Sequence, residues 1–204
     1  MLALAMFTEV PDKPPSINGP TGTQPIRGFD HLHHLFNYTM QKVAPQRSID
    51  KYHMDLIGFP FNAVLDWPLT TPSGYALFLN KTVNVHTKNI LEYWRDNFLT
   101  MSASAGVLTE EPNSWLSEEA RKVIEDDINL DPNHWYSFEE LFGYSKKDGE
   151  HWGFKSRGSF FTCKFADYHK LRPVYAPDDD SWVVSPCESK PFALQTNVKA
   201  YDIF

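Results

Sequence analysis

Apolar residues recur at spacings of three and four from Phe29 through Leu32, Phe36 and Met40 to Val43, and Pro45 closes the run. That spacing repeats on one face of an α-helix, so a helix is expected here. The next apolar stretch, HMDLIGFPFNAVLDWPL, carries Pro60 and Pro68. Proline lacks an N–H and crowds the preceding turn, which predicts short helices broken at those two points. From about Ser73 to Phe98 no proline interrupts the chain. Tyr75, Phe78, Leu79, His86, Ile90, Tyr93 or Trp94, and Phe98 form an apolar stripe there, with Asn80, Lys81, Lys88 and Arg95 off it. This is the longest helix the pattern predicts.

SASAG at 102–106 reads as a loose connection. Ser117 followed by Glu118 and Glu119 is a helix start, because a hydroxyl caps free N–H groups and acids favour the positive helix end. Leu116, Ala120, Val123 and Ile124 supply its buried face. Ser137 and Glu140 have the spacing of a capping box, opening a short helix through Phe138, Leu141 and Phe142. Beyond Pro173 the period changes to two. Phe192, Leu194, Val198 and Ala200 alternate with Gln195, Asn197 and Lys199, which is strand periodicity. The expected class is α+β: a mainly helical N-terminal domain followed by the first strands of a β-rich domain. The expected divisions are a flexible Pro/Gly-rich lead-in over 1–28, a helical domain over 29–145, and the β-containing part over 146–204.

Composition narrows the function. The 204 residues are 42% hydrophobic and 15% aromatic, which fits a packed globular protein. A net charge of −7 counts against nucleic acid as a partner and disfavours an anionic membrane surface. Cys163 and Cys187 are the only cysteines, too few for a disulfide framework, so a reducing compartment is expected. MLALAMF lacks a basic flank and gives way to EVPDKPP, so neither a signal peptide nor a transmembrane segment is expected. The chain reads as soluble and cytoplasmic.

Several clusters are candidates for chemistry. His31, His33 and His34 suggest zinc, but only His31 and His34 share a helix face, and a polar face explains them better. Asp167 and His169 resemble a carboxylate–imidazole pair, although a solvated linker is the simpler account. Asp178, Asp179 and Asp180 follow Pro177 and read as a charged turn. Cys187 is a weak nucleophile candidate, because the neighbouring Glu188 raises a thiol pKa. Glu188 itself stands between two strand-like segments, where a rigid frame suits an orienting acid or base; an exposed turn glutamate is the plain alternative. Glycine-rich phosphate loops, G-x-S-x-G and paired C-x-x-C motifs are absent from the sequence.

Taken in order, HLHHLFNYTMQKVAP, LTTPSGYALFLNKTVNVHTKNILEYWRDNFL, NSWLSEEA, HWGFKSRGSFFTCKFADYHKLRPV and VVSPCES resemble the phosphatidylserine decarboxylase family. The likeness is to its fungal branch with an extra helical N-terminal domain, which includes L-tryptophan decarboxylases. It covers roughly residue 30 to the C-terminus. The resemblance implies a pyruvoyl enzyme that cleaves itself at an internal serine and uses the resulting carbonyl as an electron sink for CO2 loss. The implied substrates are phosphatidylserine or a free aromatic amino acid such as L-tryptophan. It further implies a serine activated by a histidine that a carboxylate orients. The family places that carboxylate in a Pro-x-Asp-Gly turn. Pro186, Cys187, Glu188 and Ser189 occupy the turn here, so Glu188 inherits the orienting role.

The departures shape the expectation. Glu replaces Asp at 188, Ser189 replaces Gly, and Cys163 stands where the family usually has Arg. His169 precedes Arg172-Pro173-Val174 and is not the family's catalytic histidine. No histidine and no Gly-Ser cleavage segment follow Glu188. The chain is therefore expected to be the N-terminal part of such a decarboxylase, inactive alone, with its unfinished sheet pairing with the missing C-terminal part or with a full-length relative. The alternative is a non-catalytic helical docking module.

Overall fold

A computed structural model describes residues 2–13, 26, 28–49, 55–58, 60–129, 133–185 and 196. The chain packs as two units, Met1–Ala166 and Asp167–Phe204. Helices dominate the described residues.

In the first unit, order begins at Leu2 and not at Phe29. Helix α1 (Leu2–Glu9) buries Met6 to 1% exposure, together with Phe7 and Val10. Helix α2 (Phe29–Lys42) forms as expected, with Leu32 buried beneath it. Its Leu32, Met6, Phe7 and Ile26 make one core cluster, flanked by Phe29 and Phe36. Met6 and Phe7 of the apolar opening thus enter the core while Leu2 and Leu4 stay exposed, and that burial outweighs the polar, proline-rich texture that follows in the sequence.

Residues 55–58 correct the expectation of helix. Strands β1 (Gln46–Ile49) and β2 (Asp55–Gly58) pair antiparallel, with Gln46 opposite Gly58 and Ile49 opposite Asp55. Helix α3 (Pro60–Leu69) then starts at Pro60 instead of breaking there, since the first turn needs no N–H from that residue. Pro68 sits in its last turn, where the Pro68 carbonyl accepts from the Thr71 N–H and hydroxyl.

The long helix expected over 73–98 is three pieces. Helix α4 (Pro72–Phe78) ends before Asn80, whose side chain accepts from the N–H groups of Thr82 and Val83 and starts α5 (Lys81–Trp94). Asparagine in that role offers the backbone an alternative to continuing the helix. A π-turn over Arg95–Leu99 follows. The break rotates the stripe: Tyr75, Leu79 and Tyr93 are exposed, whereas Trp94 and Phe98 are buried. Phe36, Phe61 and Trp94 stack edge to face at 4.9 and 5.0 Å, and Ala44 and Phe98 complete that cluster.

SASAG is also a correction. It forms a 3-10 turn (Ser102–Val107) with Ser104 and Ala105 buried, because the small side chains let the backbone enter the core. Ala105 and Leu108 join Trp115, Leu116, Phe138, Trp152, Phe154 and Phe160 in the largest cluster. The boundary expected at residue 145 falls inside this cluster. Helix α6 (Glu118–Ile128) is capped by Ser117, whose Oγ accepts from the Ala120 N–H at 3.2 Å. Helix α7 (Phe138–Phe142) opens with the Ser137–Glu140 capping box, and α8 (Arg157–Phe161) with Ser156 and Ser159. Two indoles tie the end of α2 to these clusters: Trp94 Nε1 donates to the Val43 carbonyl at 3.1 Å and Trp115 Nε1 to the Pro45 carbonyl at 2.8 Å.

The second unit carries α9 (Tyr168–Leu171), capped by Asp167, where a linker was expected. Asp179 Oδ1 accepts from the Ser181 N–H and hydroxyl, so the acidic run is a turn. The strand expected over 192–200 lies outside the described residues except for Thr196.

Candidate functional site

The segment KKDGEHWGF reverses direction in a costly way. Ser145 and Asp148 cap each other across a short 3-10 turn, and Gly149, at φ 104°, leads out of it. His151 and Trp152 then both take left-handed backbone angles, φ 53° and 56°, followed by Gly153 at 84°. A left-handed non-glycine residue costs roughly 1–2 kcal/mol, so two in succession need compensating contacts. Trp152 supplies them. It is only 7% exposed, packs edge to face on Phe138 at 5.8 Å, and lies 4.4 Å beneath the Arg121 guanidinium. Its Nε1 donates to Glu110 Oε1 at 3.0 Å.

The reversal turns His151 and Trp152 toward residues 108–110 and opens a groove of about 360 Å³ lined in part by Leu108, Glu110, Lys146, His151 and Trp152. Lys146 Nζ reaches Glu110 Oε2 at 2.6 Å. Hydrogen bonds from Lys146 and then Trp152 hold the Glu110 carboxyl below the usual carboxylate range. His151 Nδ1 lies 2.6 Å from the Leu108 carbonyl. A carbonyl only accepts, so Nδ1 carries the proton in the neutral ring and Nε2 keeps its lone pair. Nε2 stands 3.6 Å from Glu150 Oε1. The groove thus presents a fixed carboxylate, an ammonium and an imidazole lone pair, a set able to orient a small polar group and accept a proton.

Glu110 makes the groove acid-sensitive. Its carboxyl titrates lower in the folded protein than in the unfolded chain, so its contribution is present above the ordinary carboxylate range and is lost as pH falls through the folded value. The Trp152 indole N–H resonance is expected to shift on acidification below the ordinary carboxylate range in the wild type. In Glu110→Gln that pH-dependent movement should vanish, and an unchanged titration would remove Glu110 from the role.

Most residues singled out by sequence lie elsewhere. Glu188, Cys187, Pro186 and Ser189 are outside the described residues. His33 and His34 are exposed on α2, and His33 packs on Phe29 at 4.2 Å. Among the described residues no three metal-ligating side chains converge. Asp167 Oδ1 accepts from the Lys170 N–H as a helix cap, and Tyr168, not Asp167, makes the ring contact with His169. Burial pushes the Cys163 thiol up, away from thiolate chemistry. Sequence reasoning missed Glu110, Lys146, His151 and Trp152. The available signal was Gly149 and Gly153 bracketing a His-Trp pair, a spacing suited to unusual backbone.

A pyruvoyl group formed by self-cleavage needs a serine hydroxyl faced by a base. Ser104 Oγ donates to backbone carbonyls, Ser114 Oγ donates to the Val107 carbonyl, and Ser117, Ser137 and Ser156 accept from helix N–H groups. Ser159 Oγ donates to the Ser156 carbonyl. None of these is paired with a histidine, so these serines do not fit that precursor.

The model of the phosphatidylserine decarboxylase family matches residues 1–124, more than half of the chain, and the chain belongs to that family. Two curated fungal relatives carry decarboxylase names. Decarboxylase iboD of Amanita muscaria is 34% identical over 147 residues, 72% of this chain and 39% of the relative. L-tryptophan decarboxylase of Psilocybe cubensis is 26% identical over 182 residues, 86% of this chain and 38% of the relative. The chain therefore spans about two fifths of the length of these relatives. Among the described residues, no helix is long and apolar enough to cross a membrane.

Proposed function

We propose that this chain is the N-terminal part of a pyruvoyl-dependent decarboxylase that removes CO2 from an amino-acid group, either free, as in L-tryptophan, or carried on phosphatidylserine. The family match over residues 1–124 supports this reading. In it, Glu188 is the carboxylate that orients a histidine supplied from beyond Phe204, and the self-cleaving serine comes from the same region. The first strands of the catalytic sheet lie in the stretch after the helical body.

The purified 204-residue chain is expected to give no amine from L-tryptophan or from phosphatidylserine vesicles. The same chain extended along its reading frame should release CO2 from one of them, and Glu188→Gln should block self-cleavage of the extended protein. Amine formation by the 204-residue chain alone would overturn the reading. A second reading, a docking module without catalysis, is favoured by one observation. Tyr75, Leu79, Val85, Leu91 and Tyr93 leave large apolar side chains exposed on α4, α5 and the turn between them. A genuine stop codon after Phe204, with stable binding to a full-length relative, would select it.

A further inference from the structure

Among the described residues, Arg157 is a buried cation with no counter-charge. The residue is 3% exposed, and its Nε is enclosed without a hydrogen-bond acceptor. Its guanidinium carbon stands 4.8 Å from the ring centroids of Trp115 and Phe161 and 5.9 Å from that of Phe160. Burial lowers its pKa to about 10. Enclosing an unpaired charge is expensive, and aromatic faces offset only part of that cost. The backbone is well fixed: the Arg157 N–H donates to Ser104 Oγ at 3.0 Å, and a side chain on Gly158 would strike the Leu99 carbonyl at 2.8 Å. A methionine or leucine would fill this position without the penalty.

We infer that Arg157 is a seat for the carboxylate of an apolar-bodied monoanion. Nε is enclosed and aromatic rings stand close to the guanidinium, so the Nη groups are the part left for binding. A carboxylate meets them with two coplanar oxygens and completes paired hydrogen bonds. A dianionic phosphate suits the site less, since the surrounding Trp115, Phe160 and Phe161 surfaces cannot solvate a second charge. Phe161 is 60% exposed and forms the wall open to an entering ligand. The body of that ligand packs against its ring. Neither the groove at Glu110 nor the proposed decarboxylation is needed for this site.

The test uses the 204-residue chain, with the Trp115 indole N–H resonance and thermal melting as readouts. Phenylacetate stands for a small aromatic acid, N-acetylglutamate methylamide for an acidic side chain of a polypeptide, and inorganic phosphate for a competing anion. Saturable binding of either carboxylate, with a raised melting temperature, is expected. The tighter of the two identifies the source, and both outcomes support the seat. Arg157→Met should weaken carboxylate binding by about tenfold or more, while its ligand-free melting temperature equals or exceeds that of the wild type. Arg157→Lys keeps the charge without the planar fork and should fold with binding weakened severalfold, which keeps the test decisive if the methionine variant fails. Binding unaffected by either variant, or phosphate binding tighter than both carboxylates, would overturn the assignment. So would a loss of ligand-free stability in Arg157→Met.

Discussion

Truncating Phe138 to alanine is expected to destabilise the first unit by about 3–5 kcal/mol, the range for removing a buried phenylalanine. The ring is 2% exposed and joins elements from three places in the chain. It packs on Phe142 at 4.9 Å and on Trp152 at 5.8 Å, and the Phe138 N–H donates to Glu125 Oε1 at 2.7 Å, anchoring α7 to α6. The neighbours cannot collapse into the vacated space, because Trp152 is held by its own strained backbone. Urea unfolding followed by tryptophan fluorescence measures the loss. Phe138→Leu conserves much of the volume and should lose far less. A difference under 1 kcal/mol for the alanine variant, well below the expected range, would show that this ring is not central to the cluster.

Gly74→Ala should be nearly as damaging, for a different reason. A Cβ at residue 74 would stand 1.9 Å from the Pro68 carbonyl oxygen and 2.9 Å from its carbon. That carbonyl cannot swing aside, since the Thr71 N–H and hydroxyl both bind it. The junction of α3 and α4 must therefore open. Helix α1 would follow, because it packs on α4 and its Glu9 carboxylate binds the Ser73 N–H and hydroxyl. Overpacking costs about 1–3 kcal/mol and more where the obstacle is backbone, so the upper end or beyond is expected. Gly106→Ala is the control. Nothing lies within 4 Å of its Cβ position, and it should leave the melting temperature close to that of the wild type. Equal effects from the two substitutions would exclude the close approach at Gly74 as the cause.

Legibility in the sequence followed the range of the forces involved. The caps at Ser117 and Ser137 were readable because a hydroxyl and an N–H three residues away decide them. Helix α2 was readable because one side of it faces the core along its whole length. Asn80 was misread, since periodicity ignores a side chain that competes for backbone N–H groups. The opening helix was hidden by the proline-rich stretch behind it, and its burial depends on partners in α4, more than sixty residues away. The candidate groove was invisible for the same reason. Glu110 meets Lys146 and Trp152 from more than thirty residues away, and Trp152 reaches it through left-handed backbone.

The largest cluster draws Ala105, Leu108, Trp115 and Leu116 from one side of residue 124, and Phe138, Trp152, Phe154 and Phe160 from the other. The match to the family model ends between these halves. During synthesis, Trp115 and Leu116 emerge from the ribosome with half of their packing surface still to be made, and they shed water only after Phe160 has followed. A recombination event that joined residues 1–124 to a foreign sequence would carry an open apolar face with it. The stretch through Ala166 travels with its core closed.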